Sequence, residues 1–401
     1  KNASSGVSWV ILGGLFLLVI LIVLASWVAR THDFFRNLDF FTLWLGGRMV
    51  AQGQDVYNQA LWEANHSIYG STWIENPFYV YPLITAVLFI PLGVLPIEIA
   101  STIWIFLSLL MIAFGIFISL SNWKNAIWKK LAFPILITTV LFRPAFLTVL
   151  NGQLDSLLLL IFAAGVYFLK KGKNNFAHIF LIILLIKPNI GVPILCFYLL
   201  WLIINSKWKD AALIISASIL FLCIPILFDR SWMIKFVLSS LYKGQDPNLY
   251  PTLRGLSGII FYGQAEYTTA AWIIFSLITI GFIFLQILKK RSALLSEDAL
   301  LFSLILTLLV TPYLRAYDLI LLIFPAFAIL EVCAEKNWDF LQLYVAYFAW
   351  VMATIGLIFL AVQLNHDIWS VLLTISVFAV FSYLTLFARK KEQLPFPSLN
   401  G

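Results

Sequence analysis

Long apolar runs alternate with short polar links over nearly the whole chain. The first run, residues 7–29, contains no charged residue. A helix needs roughly 20 apolar residues to cross a bilayer, and a backbone in lipid must satisfy its own hydrogen bonds. The pattern therefore predicts an all-α, polytopic membrane protein with about a dozen transmembrane helices.

Two apolar stretches do not fit simple crossings. Residues 79–95 are short and interrupted by prolines, which predicts a helix lying in or dipping into the outer leaflet. Residues 176–205 leave and re-enter the same side in too few residues for two crossings at about 1.5 Å of rise per residue. They predict a broken hairpin with its break at Lys187-Pro188-Asn189, where the lysine places a charge at membrane depth.

Composition and charge fix the class and predict the orientation. The 401 residues are 62% hydrophobic and 11% charged, too little polar surface for a soluble globule. Lysine and arginine concentrate in short links such as residues 124–130 and 289–291, which the positive-inside rule places in the cytoplasm. We expect both termini to be cytoplasmic, and the net charge of +7 reports topology and not nucleic-acid binding.

The opposite links predict the working face. They include two large extracytoplasmic loops, residues 30–78 and 229–265, within a single transmembrane domain of residues 1–390 that is followed by a cytoplasmic tail, residues 391–401. In the first loop, residues 40–53 and 59–69 predict short helices with one aromatic face, suited to the membrane interface.

Several motifs resemble glycosyltransferase family 87. They occur in order as Asp39-Phe40, Gly53-Gln54-Asp55-Val56-Tyr57, Phe78-Tyr79-Val80-Tyr81-Pro82-Leu83, Asn151-Gly152-Gln153, Lys187-Pro188, Thr311-Pro312-Tyr313 and Tyr317-Asp318-Leu319. Each is short, but their order and spacing extend over most of the chain. The family's usual Tyr-Pro-Pro reads Tyr81-Pro82-Leu83 here, and Tyr317-Asp318 stands where some members, including mycobacterial mannosyltransferases, carry histidine.

The resemblance implies a C-type membrane glycosyltransferase (GT-C) fold and a sugar donor carried on polyprenyl phosphate. It implies a hexosyltransferase of a prokaryotic plasma membrane, with mannose as the first candidate sugar and a glycolipid, glycan or protein as acceptor. Membrane lipids are the other expected partners. The alternative is a flippase or transporter of lipid-linked sugars, which would share the broken helix and the buried lysine but would need no catalytic base.

Asp39 is the candidate catalytic base. An acceptor hydroxyl is a poor nucleophile, so a carboxylate must take its proton as the sugar is attacked. No second carboxylate is evident nearby, which favours inversion over a covalent intermediate. The alternative role for Asp39 is to cap the helix that starts at Phe40. Asp33 and Asp55 are the alternative bases.

The phosphate that leaves needs cations. On the working face these are Lys187, Arg254, Arg143 and Arg315, with Arg48, Lys235 and Lys243 in reserve. The alternatives are a paired or snorkelling Lys187, an Arg254 that serves lipid headgroups, and an Arg315 that pairs with Asp318, three residues on.

Neutral side chains complete the predicted site. Asn151, Gln153 and Tyr81 are candidates for the sugar, although Asn151 and Gln153 can equally cap a helix. Tyr317 and Asp318 form a second acid or a wall of the site. The four histidines are scattered and no Asp-x-Asp pair is present, so we predict a reaction without metal or other cofactor.

Overall fold

Prolines and the lengths of the apolar runs set the helix boundaries. The structure, a computed structural model, describes residues 36, 38–71, 79–241, 250–261, 264–289, 294–364 and 367–388. Every regular element in these ranges is helical. The first nine α-helices are α1 (Asp39–Ala51), α2 (Gln59–Ile68), α3 (Leu83–Gly93), α4 (Ile97–Ser121), α5 (Trp128–Thr139), α6 (Arg143–Leu150), α7 (Asp155–Lys170), α8 (Asn174–Ile182) and α9 (Pro188–Ile204).

The second half continues in the same way. Its α-helices are α10 (Trp208–Cys223), α11 (Trp232–Leu241), α12 (Leu253–Ile260), α13 (Ala265–Lys289), α14 (Ser296–Val310), α15 (Ile323–Glu335), α16 (Phe340–Leu364) and α17 (Val371–Ser382). Short 3₁₀ segments at Ile183–Ile186, Ile224–Leu227, Ala316–Leu322 and Asp367–Ser370, and a π-helical turn at Tyr383–Ala388, join or extend them.

Six helical stretches in the described ranges are long and apolar enough to cross a membrane. They are Ile97–Ser121, Trp208–Leu227, Ala265–Gln286, Ala316–Glu335, Phe340–Leu357 and Ile368–Thr385. A seventh results if α5 and α6, which meet at 60°, form one broken span. The expected dozen is thus not confirmed, and the apolar run at residues 7–29 lies outside the described residues.

The structure has helices of the predicted kind in both apolar stretches that do not fit simple crossings, residues 79–95 and 176–205. With 11 residues, α3 is about 16 Å long, roughly half the hydrocarbon thickness. The break in residues 176–205 falls at Lys187, between the 3₁₀ segment Ile183–Ile186 and α9. Pro188 occupies the first turn of α9, where its missing N–H costs no hydrogen bond.

The two short helices predicted within residues 30–78 are present as α1 and α2, but α1 is not buried on one face alone. Eight of its 13 residues are buried. It packs closely against α3 because both helices carry glycine at the crossing. A Cβ atom on Gly47 would lie 2.4 Å from the Phe89 carbonyl oxygen, and one on Gly93 would lie 2.3 Å from the Arg48 nitrogen. Small residues permit this approach of two backbones.

Gly47→Ala is expected to destabilise the protein by about 1–3 kcal/mol, because the new methyl group overlaps a backbone that cannot move aside easily. Thermal unfolding of the purified protein in detergent measures the loss. Gly281→Ala is the matched control, because nothing lies within 4 Å of a Cβ atom at that helical position. Equal unfolding midpoints for the two variants would contradict the close α1–α3 packing.

Candidate functional site

Lys187 lies at the centre of a buried ion-pair network. Its Nζ donates a hydrogen bond to Asp155 Oδ2 at 2.6 Å and another to Asp318 Oδ1. Lys187 is 3% exposed and both aspartates are fully buried. Removing charges from water is costly, and the opposite charges with their hydrogen bonds compensate for it. The structure thus shows Lys187 paired, and its predicted contact with the donor phosphate stays a prediction.

The two acids reach Lys187 from separate elements. Asp155 is the first residue of α7, and Asp318 lies in the 3₁₀ segment before α15. The second oxygen of Asp318 accepts a hydrogen bond from the Arg315 backbone N–H at 2.6 Å. The ammonium also lies 4.8 Å from the centre of the Tyr317 ring, a cation–π contact. The network thus places two carboxyl groups around one ammonium.

Asp39 is held by the segment that precedes α7. It is the first residue of α1, and its Oδ2 accepts a hydrogen bond from Gln153 Nε2. The N-cap position is Leu38, without a side-chain capping bond, and Asp39 lies in the first turn, one residue before the predicted helix start at Phe40. The oxygen of the Gln153 amide, Oε1, is buried and has no hydrogen-bond partner. Gln153 therefore orients Asp39 and keeps an acceptor for another group.

The loop that carries Gln153 is fixed on both sides. The Phe40 N–H donates to the Asn151 carbonyl at 3.0 Å, and Trp104 Nε1 donates to the Gly152 carbonyl at 2.8 Å. Gly152 has φ of +65°, and a Cβ atom there would lie 2.5 Å from Phe40 Cβ. The N-cap residue of the following helix, α7, is Leu154, so neither Asn151 nor Gln153 occupies that position. The tight turn thus serves to bring residues 151–153 against the start of α1.

Tyr81 lies within electrostatic range of Asp39 and Asp155. Burial and the nearby Asp39 carboxylate raise the pKa of the Tyr81 hydroxyl well above its ordinary value. This tyrosine therefore stays protonated and can donate a hydrogen bond. Its backbone carbonyl accepts a bond from the Tyr57 hydroxyl at 2.8 Å, which anchors the segment before α3.

Arg254 is connected to the site through the segment after α14. Its Nη1 donates to the Pro312 carbonyl at 3.2 Å. Asn189, two residues after Lys187, donates to the neighbouring Tyr313 carbonyl at 3.1 Å and accepts a bond from Thr311. The arginine and Asn189 therefore contact neighbouring carbonyls of the same segment.

The other predicted cations lie elsewhere or are paired. Arg143 donates to Ser370 Oγ at 3.3 Å. Lys235 bridges Asp55 at 2.8 Å and Asp229 at 2.7 Å, which also engages one of the alternative bases. Lys243 and the other alternative base, Asp33, lie outside the described residues.

Asp155 is the functional candidate that the sequence reasoning missed. The signal was present, since a lysine at membrane depth requires a carboxylate partner and Asp155 begins an apolar helix directly after Asn151-Gly152-Gln153. The residue was read as the end of a polar link, where acids are ordinary. Only the tertiary packing, which places Asp155 against Lys187, shows that Asp155 is fully buried.

Comparison with known families agrees with this arrangement. The sequence profile of glycosyltransferase family 87 matches residues 79–312. The match includes Gln153, Asp155 and Lys187, while Asp39 and Asp318 lie on either side of it. Among proteins of curated function, none matches this chain. Because the profile covers more than half of the sequence, the chain belongs to glycosyltransferase family 87.

Proposed function

We propose that this glycosyltransferase moves a sugar from a polyprenyl phosphate to an acceptor hydroxyl, with inversion at the anomeric carbon. The observation that carries the proposal is the Asp39 carboxylate, fixed by Gln153 beside the Asp155–Lys187–Asp318 network. A carboxylate held by a neutral amide remains able to accept a proton, which is what a poor nucleophile requires.

The reaction is a single displacement. Asp39 takes the proton of the acceptor hydroxyl as its oxygen bonds to the anomeric carbon. The bond from that carbon to the phosphate oxygen breaks, and polyprenyl phosphate leaves with the electron pair. Attack from the face opposite the phosphate inverts the configuration.

Charge decides where the donor lies. The Lys187 ammonium is already paired with two aspartates, so a phosphate beside it gains little. The phosphate belongs instead with arginine, and Arg254 is the first candidate because it contacts the segment that Asn189, two residues after Lys187, also contacts. Arg315 and Arg143 are the further candidates. Direct contact between Lys187 and the phosphate stays a prediction.

The proposed side of the membrane is extracytoplasmic, with both termini cytoplasmic. Support comes from the lysine-rich links, which the positive-inside rule places opposite the loop that carries Asp39. Mannose remains the first candidate sugar, and the acceptor is a glycolipid, a glycan or a protein. The GT-C fold, the prokaryotic plasma membrane and the absence of a metal requirement are part of the same proposal.

Transfer by the purified protein tests this proposal. The assay supplies a panel of polyprenyl-phosphate sugars with a crude lipid extract as acceptor, and a parallel reaction contains EDTA. The expected result is a product from one donor sugar, with and without EDTA. Absence of product from every donor, together with movement of a labelled lipid-linked sugar across proteoliposomes, would overturn transfer and support the transporter alternative.

Gln153→Leu is expected to lower kcat by about tenfold with little change in KM for the donor, because Asp39 loses the amide that orients it. Initial rates over a range of donor concentrations separate the two constants. Gln59→Leu, on the exposed face of α2, is the control. A Gln153→Leu enzyme with unchanged kcat would remove Gln153 from a positioning role.

A further inference from the structure

A polar pocket that Asp39 does not line lies between α1 and the start of α4. It has a volume of about 410 Å³ and is lined by Arg36, Trp44, Arg48, Tyr69 and Glu98, with apolar residues at its rim. Arg48 follows Asp39 by nine residues, which corresponds to about 14 Å along a helix. Arg36 precedes Asp39 by only three residues, but neither Asp39 nor Gln153, Asp155, Lys187 or Asp318 lines this pocket.

Arg48 is preorganised in this pocket. Its Nη1 donates to the Gly93 carbonyl at 3.0 Å, and its guanidinium lies 5.3 Å from the Trp44 ring centre and 4.8 Å from that of Tyr69. Trp44 Nε1 donates to the Leu95 carbonyl at 3.0 Å, which fixes this wall. A guanidinium held this way loses little freedom when it binds an anion.

The local potential is positive. Arg36 and Arg48 outnumber Glu98, which pairs with Arg36 at 3.1 Å. Burial alone would raise the pKa of Tyr69, but hydrogen bonds from Gln52 and Arg48 and the charge of Arg48 lower it overall. The start of α4 adds the positive end of a helix dipole at Ile97.

The position of the pocket indicates which anion it meets. It opens at the N-terminal end of α4, a helix of 25 residues that is apolar and long enough to cross a membrane. Two apolar side chains of the pocket face outward, Ile68 with 71% exposure and Val94 with 60%. Arginine beside exposed apolar residues at the end of a spanning helix is typical of contact with lipid headgroups.

We infer that this pocket binds the phosphate of an anionic lipid headgroup. Arg36 and Arg48 supply charge-assisted hydrogen bonds, and the apolar rim contacts the first part of the acyl chains. A free phosphate ion can form the same hydrogen bonds with the arginines but has no acyl chain to contact the apolar rim. The inference does not depend on glycosyl transfer.

Native mass spectrometry of the purified protein with phosphatidylglycerol or phosphatidylcholine of the same acyl chains tests the inference. We expect phosphatidylglycerol to be retained about tenfold more strongly, and Arg36→Gln to lose most of that preference. Glu98→Gln should act in the opposite direction and strengthen retention, because it removes the carboxylate that competes for Arg36. Lys171→Gln is the control, an exposed lysine that follows the far end of α7.

The variants and a phosphate titration separate the outcomes. Equal retention of the two lipids, or identical behaviour of Arg36→Gln, Glu98→Gln and Lys171→Gln, would overturn the inference. Displacement of phosphatidylglycerol by millimolar inorganic phosphate would support phosphate recognition from either source, whereas retention despite it would support a lipid headgroup alone. The readout needs no sugar donor, so its failure leaves the proposed reaction untouched.

Discussion

Replacing Asp39 with asparagine is expected to reduce glycosyl transfer at least about 100-fold, because loss of a general base commonly costs a factor of 10²–10⁴. Asparagine preserves the size of the side chain, and the N-cap position of α1 is Leu38. The amide cannot take the proton of the acceptor hydroxyl. Initial rates with the preferred polyprenyl-phosphate sugar measure the loss.

Asp55→Asn is the matched control for this variant. Asp55 also lies in the predicted first outer loop, but its carboxylate is paired with Lys235 at 2.8 Å. We expect its transfer rate to stay within a few-fold of the wild type, since exposed ion pairs contribute little. Full activity of Asp39→Asn would move the base to Asp33, because Asp318 is already bound to Lys187.

Lys187→Met is expected to lower the free energy of unfolding by about 3–5 kcal/mol, the usual cost of removing one partner from a buried ion pair. Asp155 and Asp318 would remain side by side without a counter-charge, and both are fully buried. Thermal unfolding in detergent, followed by intrinsic fluorescence, measures the change. Activity should fall as well, because Lys187 holds Asp155, and Asp155 follows Gln153, the residue that orients Asp39, by two positions.

Two further variants make this result specific. Lys235→Met removes a lysine that also contacts two aspartates, but its side chain is 34% exposed, and we expect a loss below about 1 kcal/mol. Adding Asp155→Asn and Asp318→Asn to Lys187→Met should restore much of the stability, since no buried charge then lacks a partner. Equal losses for the two single lysine variants would show that the network is solvated.

The broken hairpin shows how much local sequence determined. Lys187-Pro188 interrupts an apolar stretch too short for two crossings, and the helix breaks there because proline lacks an N–H and fits only a first turn. The same local reasoning predicted α1, α2 and the short α3. It misjudged how deeply α1 is buried, because a hydrophobic pattern does not reveal that Gly47 and Gly93 let α1 pack closely against α3.

The sequence by itself determined the membrane class, the helical secondary structure, the family motifs and the choice of Asp39, since each depends on residue type and local order. Only the tertiary structure decided which charges meet. Asp155, Lys187 and Asp318 are separated by 32 and 131 positions, and Gln153 is 114 from Asp39. Pairing over such separations depends on how helices pack, and a buried charge is satisfied by whichever partner that packing brings within hydrogen-bond distance.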